Sequence, residues 1–253
     1  MTSVQIHLNS EDCSKYYNGR SYCEFQLPFY TVESTSTLYA SVVHASIPYS
    51  FYNVNSSNNT LCYSVNSTTI SRVYLTLGNY TTTTLLQQLI NTLPNTFTIV
   101  YNLPQNTFSF SNSQTFTFYY NTTLGFSTCF GLLGFTNAQQ TSTVSGTTQY
   151  LTSNQLVNLA PVRCICVYTT LHTGSLTSLN QNNQNILCSI PVETAPFTMI
   201  GYKNMNGYKA NLNNNVFNSI TLKLTDQAGN LLNLNGINWS MTIQLDVVDY
   251  GLD

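Results

Sequence analysis

Charged side chains are scarce in this chain of 253 residues. Only 6% of the residues are Asp, Glu, Lys or Arg, against roughly a quarter in typical globular proteins. After Arg72 no formally charged side chain occurs until Arg163, and the net charge is −2. Lys and Arg form no cluster in the sequence, so we expect neither a nucleic-acid-binding surface nor a polybasic membrane-binding surface.

Long apolar runs and a secretory signal are missing as well. No segment approaches the ~18 apolar residues of a membrane-spanning helix. Residues 1–6 lack the basic and apolar regions of a signal peptide. We therefore expect a protein made inside a cell, without a membrane span. Its cysteines are odd in number and widely spaced, which predicts buried, reduced thiols. They are Cys13, Cys23, Cys62, Cys129, Cys164, Cys166 and Cys188.

Thr, Asn, Ser and Gln occupy most polar positions in place of charged residues. Two explanations of this composition stay open. One is a proteome rich in Asn and Thr. The other is residence in a large assembly, because a surface with little charge resists self-association poorly.

Many short segments have the composition and alternation of β-strands. No βαβ rhythm and no repeat of fixed period occurs, so the alternatives are a β-sandwich, a jelly roll or a barrel. About ten to twelve strands favour a jelly roll with extra strands. Strands are expected at residues 4–8, 37–45, 61–65, 72–77, 97–101, 107–110, 115–119, 163–171 and 186–191, with a break at Ile47-Pro48 and loops over 125–149, 180–185 and 202–215.

The prediction is thus an all-β jelly-roll β-sandwich with one short helix and long loops. Residues 1–30, which carry much of the charge, are expected to form an N-terminal strand or arm. Residues 31–253 are expected to form a single jelly-roll domain with inserted loops.

One helix is predicted after the tripeptide that begins at Gly78. Thr81 to Thr84 supply hydroxyl groups for the N-cap, and Pro94 ends the helix. Apolar residues recur at helical spacing between these limits, at Leu85, Leu86, Leu89, Ile90 and Leu93. A short helical turn is expected at residues 130–135.

Residues 220–248 predict a strand, a turn and a long closing strand. Trp239, Met241, Ile243, Leu245 and Val247 fall on one face, and Ser240, Thr242, Gln244 and Asp246 on the other. This is the period of a half-buried antiparallel strand. Asp226 opens the turn, where its carboxylate is expected to accept hydrogen bonds from the turn backbone. Trp239 is expected to face the core.

Few residues could support catalysis. His44 lies within a strand and is interpreted as a packed or interface residue, His7 as an outward-facing one, and His172 as lying at a strand end. Cys164 and Cys166 share a strand face about 7 Å apart, beyond the usual Cα separation of a disulfide. Neither has partners spaced for zinc. A Cys–His nucleophile pair stays open, without a local signature.

The nine acidic residues are too few and too scattered to favour a paired-carboxylate glycosidase or a calcium site. The nucleophile elbow, the zinc-protease motif and the phosphate-binding loop do not occur in the sequence. We therefore predict no enzyme, no catalytic residue, no cofactor and no metal site.

Four segments together resemble the minor capsid (penton) proteins of virophages and polinton-like viruses, and related vertex proteins of large DNA viruses share parts of the pattern. They are ASIPYSFYNVN at 45–55, LTLGNYTTTTLLQQLIN at 75–91, LLGF at 132–135, and the closing segment at 220–248. The resemblance implies a jelly-roll virion protein of which five copies close each icosahedral vertex, beside a hexameric major capsid protein. The family has no catalytic residues to carry over.

Three hypotheses of function follow. The first is a structural capsid protein that self-associates symmetrically, as a pentamer. The second is a virion receptor- or carbohydrate-binding β-sandwich, with a cleft of Tyr, Asn and the single Trp239. The third is a β-sandwich hydrolase, which would need at least two of Asp246, Asp249, Glu193 and His44 to converge.

Overall fold

A computed structural model of the chain describes residues 2–32, 36–66, 69–171, 185–213 and 216–249. The first strands are β1 (Thr2–Asn9), β2 (Lys15–Tyr17), β3 (Tyr22–Thr31) and β4 (Ser36–Pro48), with a 3-10 turn at Asn18–Arg20. The middle strands are β5 (Thr60–Val65), β6 (Ser71–Tyr74), β7 (Thr98–Asn102), β8 (Thr107–Asn112), β9 (Phe116–Tyr119), β10 (Asn121–Thr122), β11 (Gly125–Phe126), β12 (Gln140–Thr141), β13 (Thr143–Ser145) and β14 (Thr148–Thr152). The last are β15 (Cys164–Thr169), β16 (Ile186–Pro191), β17 (Met199–Lys203), β18 (Ala210–Leu212), β19 (Val216–Thr225) and β20 (Ser240–Asp249). The helices are α1 (Thr82–Thr92) and α2 (Phe130–Leu133).

The chain forms two compact units. Met1–Phe51 and Val162–Asp253 make the first, which we call the discontinuous unit, and Tyr52–Pro161 make the second, the inserted unit. This division differs from the one expected, an arm over 1–30 and one domain over 31–253. Residues 1–30 belong to the first unit because β1 pairs along its whole length with β20, and β3 pairs with β19.

The discontinuous unit is a sandwich of two antiparallel sheets. One has the order β1-β20-β4-β17, with β18 also paired to β4, and the other has the order β16-β15-β19-β3-β2. When the short strands β2 and β18 are left out, the discontinuous unit has eight strands. If these are numbered one to eight along the chain, strands one, eight, three and six form one sheet, and strands two, seven, four and five form the other. This is the strand order of a jelly roll, so the expected all-β sandwich is confirmed.

Strand β20 lies between β1 and β4, and its alternation is the one the sequence predicts. Met241, Ile243 and Leu245 are buried in the core of this unit, together with Trp239, which is 1% exposed. The indole Nε1 of Trp239 donates a hydrogen bond to the carbonyl of Arg20 at 2.7 Å. The one departure is Asp246, which lies on the polar face but is fully buried.

The turn after β19 also forms as predicted. One carboxylate oxygen of Asp226 accepts hydrogen bonds from the backbone N–H groups of Ala228 and Asn230, each at 2.9 Å. Gly229 occupies the left-handed region with φ +85°, which a side chain would strain. Asp226 is therefore a turn-former, as its position in the sequence indicates.

The inserted unit has two four-stranded sheets, β12-β9-β5-β6 and β13-β14-β8-β7, and a small hairpin of β10 and β11. Its core is built largely from phenylalanine rings. Phe110 and Phe118 meet edge to face with ring centroids 4.9 Å apart, and Phe97 and Phe116 do so at 5.0 Å. Such contacts add to the burial free energy of each ring. A core of this kind stabilises the unit without any charged group.

Helix α1 begins and ends where the sequence predicts. Thr81 is the N-cap, and a capping box joins it to Thr84, with the Thr84 N–H donating to the Thr81 hydroxyl at 3.2 Å. Leu85 and Leu89 are fully buried. Leu93 follows as the C-cap, directly before Pro94.

Three local expectations differ from the structure. Strand β4 continues through Ile47 and Pro48, where a break was expected, because Ile47 pairs with Ile200 and Pro48 with Met199. The expected loop over 125–149 contains β11, β12, β13 and the start of β14 in addition to the expected helical turn, which forms as α2. The expected loop over 202–215 contains β18. Strands of two or three residues are too short to show a period in the sequence. The expected loop over 180–185 lies almost entirely outside the described residues.

We expect Thr81→Ala to lower the free energy of unfolding by about 1 kcal/mol, because it removes the N-cap acceptor and the capping box. Thr83→Ala is the matched control, since Thr83 is an exposed residue inside the same helix. The control should leave stability unchanged or raise it by a few tenths of a kcal/mol. Urea unfolding of the full chain measures both, and equal losses in the two variants would contradict the assignment of the cap.

Candidate functional site

The residues that a hydrolase would require do not come together around His44. His44 pairs with Thr242 on β20, four positions before Asp246. At about 3.3 Å per residue this places the two backbones about 13 Å apart along the strand. Glu193 is exposed after β16, and Asp249 ends β20. His172 lies outside the described residues.

Asp246 is instead a fixed anion inside a hydrogen-bonded network. Its side chain is 1% exposed, and Lys209 Nζ lies 2.6 Å from Oδ2. Ser3 and Gln244 donate hydrogen bonds to Oδ1 at 2.5 and 2.9 Å. Burial by itself raises the pKa of Asp246, but the hydrogen bonds from Lys209, Ser3 and Gln244 and the charge of Lys209 outweigh it and hold the pKa below its usual value.

All seven cysteines are free thiols. Cys23, Cys62, Cys129 and Cys188 are buried as expected, whereas Cys13, Cys164 and Cys166 are only partly buried. Ile165 and Val167 occupy the core face of β15, so Cys164 and Cys166 face the other way, and the expectation of buried thiols is wrong for this pair. Burial raises the pKa of Cys166 to about 11 and that of Cys188 to about 12.

These high pKa values describe protonated thiols, which are poor nucleophiles and poor metal ligands. The described part of the chain has no group of three or more His, Cys, Asp or Glu side chains that could hold a metal ion. No helix within the described ranges is long and apolar enough to cross a membrane.

The outer face of the β1-β20-β4-β17 sheet carries a groove that runs across all four strands. One row of cross-strand neighbours is His7, Thr242, His44 and Lys203. The adjacent row is Asn9, Ser240, Ser46 and Gly201. We call these eight residues together with Asp12 the transverse groove. This groove is open to solvent and has a volume of about 630 Å³.

The two rows of the transverse groove differ in the length of their side chains, and only the row with Lys203 contains a charged residue. Gly201 has no atom within 4 Å of the position of an added Cβ, so the floor is open at that end. His7 Nδ1 lies 3.0 Å from the hydroxyl of Thr242. Neither Lys203 nor His44 has a side-chain hydrogen bond or ion pair to another described residue. The groove therefore presents unpaired nitrogen groups beside a row of small polar side chains.

The sequence predicts an outward position for His7 and a packed or interface position for His44, but it does not bring the two together. His7 and His44 are 37 positions apart in the chain. They share a row only because β20 pairs with β1 on one side and with β4 on the other. The outward position of His7 is confirmed, and His44 is exposed as well. Trp239 is in the core, as expected, and so does not line the cleft that the carbohydrate-binding hypothesis would require.

The inserted unit has a surface of a different kind. Arg72 is its single charged residue in the sequence between Tyr52 and Pro161. One face of the β13-β14-β8-β7 sheet presents uncharged and mostly small side chains in cross-strand rows, at Thr98, Ser111, Tyr150 and Thr143, and at Val100, Ser109 and Thr152. Large apolar side chains are exposed elsewhere on the unit, including Leu103, Val144 and Leu156.

We expect Lys209→Met to lower the free energy of unfolding at pH 7 by about 1–2 kcal/mol, because it leaves the buried Asp246 carboxylate without its ion pair. The loss is below that of a fully buried pair, since the Lys209 side chain is 35% exposed. Lys15→Met is the control, because Lys15 forms an exposed ion pair with Glu24 at 3.6 Å. This change should lower the free energy of unfolding very little.

The same pair predicts how stability depends on pH. The pKa of Asp246 is lowered by folding, so its contribution is present above the unfolded value of about 3.9 and is lost as pH falls through the folded value. Lys209→Met should therefore flatten the stability profile below about pH 4, as measured by urea unfolding. If the free energy of unfolding of Lys209→Met falls at low pH as steeply as that of the unchanged protein, Lys209 does not set the pKa of Asp246.

Comparisons with known proteins find similarity to solved structures but no match in sequence. A scan against protein-family models and a search of curated proteins both find no match. Among solved structures, the chain is similar to the crystal structure of a selenomethionine-labelled mavirus penton protein, with 9% sequence identity and a TM-score of 0.49 over 98% of this chain and 100% of that one. At this identity and TM-score, the similarity says nothing about what the present protein binds or does.

Proposed function

We propose that this protein is a structural virion protein, the penton subunit that closes the vertices of an icosahedral capsid. In this role it self-associates as a pentamer and contacts a hexameric major capsid protein. It is made inside the host cell, resides in the capsid and catalyses no reaction. The observation that carries the proposal is the inserted unit, which has one charged residue between Tyr52 and Pro161.

A surface almost without charge is suited to burial between subunits. Ions are costly to remove from water, whereas hydroxyl and apolar groups are cheaper to bury. The core of a protein interface is correspondingly depleted of charged residues. The rows of Thr, Ser, Val and Tyr on the β13-β14-β8-β7 sheet can pack against another subunit without stripping water from an ion.

Exposed apolar side chains elsewhere on the inserted unit supply attraction for further contacts between subunits. Leu103, Val144 and Leu156 are 74%, 69% and 66% exposed. Full burial of a side chain of this size contributes about 1.5–3 kcal/mol. Five-fold symmetry would repeat each contact around a closed ring, so that modest contacts add up.

The discontinuous unit has an exposed aromatic residue held in a strained backbone. Phe197 has φ +68° and is 75% exposed. It follows Pro196 in a turn that the Thr198 hydroxyl closes onto the Ala195 carbonyl at 2.6 Å. Glycine is the usual residue at such a position, and a bulky side chain there costs about 1–2 kcal/mol. A strained, exposed Phe supports a second contact surface, because interfaces are enriched in aromatic residues.

The four sequence segments that resemble penton proteins also support the proposal. Residues 75–91 include the capping box and all but the last residue of helix α1, and residues 220–248 include most of β19, the Asp226 turn and most of β20. The resemblance therefore covers the helix of the inserted unit and the closing strands of the discontinuous unit.

We expect Val100→Lys combined with Thr152→Lys to prevent assembly, because it introduces two charges on the outer face of the β13-β14-β8-β7 sheet. Both residues are exposed, so the fold should tolerate the change. Gln26→Lys combined with Thr194→Lys adds the same charge on exposed positions of the discontinuous unit and is the matched control.

Mass photometry and negative-stain microscopy over a range of concentrations measure the outcome. The unchanged protein should form five-fold particles that depend only weakly on salt, since few charges take part. A protein that stays monomeric at high concentration, with no five-fold particles, would refute the proposed function. Particles of unchanged size in the Val100 and Thr152 variant would exclude this sheet as the contact.

A further inference from the structure

We infer that the transverse groove binds an acidic saccharide, a ligand rich in hydroxyl groups that carries a carboxylate or sulfate. This activity is separate from self-association and does not rest on the proposed capsid role. Its basis is the arrangement of the two rows on the β1-β20-β4-β17 sheet.

The floor of the groove matches a hydroxylated ligand. Asn9, Ser240 and Ser46 present an amide and two hydroxyl groups in one cross-strand row that ends at Gly201. These groups both donate and accept hydrogen bonds, as sugar hydroxyls do. Gly201 leaves room for a ligand, since no atom lies within 4 Å of the position of an added Cβ. The strand backbone is regular at Gly201, so this space is not a consequence of a turn.

The wall of the groove matches an acidic group. His7, His44 and Lys203 lie in one row with only Thr242 among them. Lys203 has no ion pair within the described ranges. In a chain with only seven Lys and Arg residues, this row places an unpaired lysine beside the imidazole of His44 at the β17 end. Hydrogen bonds from such groups to an oxyanion are stronger than neutral ones.

Charge is distributed unevenly along the groove, which would orient the ligand. Asp12 lines the β1 end, where its N–H donates to the Asn9 carbonyl at 2.9 Å. Lys203 lies at the opposite end, on β17. Three strand spacings of about 4.8 Å separate the ends by roughly 14 Å. The acidic group therefore binds at the β4-β17 end, beside His44 and Lys203, and neutral hydroxyls lie toward Asp12.

A solvated sheet face is the simpler alternative, and most exposed strands are of that kind. Two features distinguish the transverse groove from it. Both histidines of the described chain occur in one row, and the neighbouring floor row contains no long side chain that would fill the cavity of about 630 Å³. The cavity is large enough for a ligand of saccharide size, since small-molecule sites span about 300–1,000 Å³.

The test uses the full chain and isothermal titration with four probes. Sialyllactose carries a carboxylate, a heparin-derived tetrasaccharide carries sulfates, lactose is the neutral saccharide, and inorganic sulfate is the anion alone. We expect at least one acidic saccharide to bind at least about tenfold more tightly than lactose and than sulfate. If inorganic sulfate binds as tightly as either acidic saccharide, the groove is only an anion site and the proposal is overturned. The proposal is also overturned if none of the four probes binds.

Two variants and a control assign the binding to the groove. Lys203→Gln should weaken binding of the acidic saccharide by about tenfold or more, because it removes the cation at the β17 end. Gly201→Trp should abolish binding, because the ring fills an open floor on a strand that tolerates aromatic residues. Lys223→Gln makes the same charge change on β19 and should leave affinity unchanged.

Equal affinity in Lys203→Gln and Lys223→Gln would place the site elsewhere and overturn the inference. Five-fold assembly should be normal in Lys203→Gln, so loss of saccharide binding and loss of assembly are distinguishable.

Discussion

The structure depends on the pairing of β20 with β1 on one side and with β4 on the other. This pairing buries Met241, Ile243 and Leu245 against the second sheet of the jelly roll. It also determines which polar residues become neighbours on the opposite face, because side chains on adjacent strands follow the register. A shift of one residue would exchange the two faces of the strand, so the core and the transverse groove depend on the same register.

Charge is divided very unevenly between the two units. The inserted unit has Arg72 alone and is held together by phenylalanine rings and by hydroxyl and amide hydrogen bonds. The discontinuous unit carries the other charged residues, including the buried pair of Asp246 and Lys209. A nearly neutral surface favours contact with other subunits, whereas an unpaired lysine favours a charged ligand. The proposed contact surface with little charge and the proposed saccharide groove accordingly lie on different units.

Much of the local structure could be predicted from the sequence because it depends on residues that are close in the chain. The capping box of Thr81 and Thr84, the turn at Asp226 and the alternation from Trp239 to Leu245 are of this kind. The division into two units could not be predicted, because it depends on pairing between strands far apart in the chain. The continuation of β4 through Pro48 likewise required a partner, Met199, that the sequence does not reveal.

The amino-acid sequence by itself determined an all-β protein, a capped helix, a closing strand and a surface poor in charge, since periodicity and composition are properties of neighbouring residues and totals. Only the tertiary structure decided that Asp246 is buried with Lys209, that Cys164 and Cys166 face away from the core, and that His7, His44 and Lys203 share one row. The physical reason is that each of these depends on register between distant strands, which is fixed by burial of whole faces in the folded sandwich.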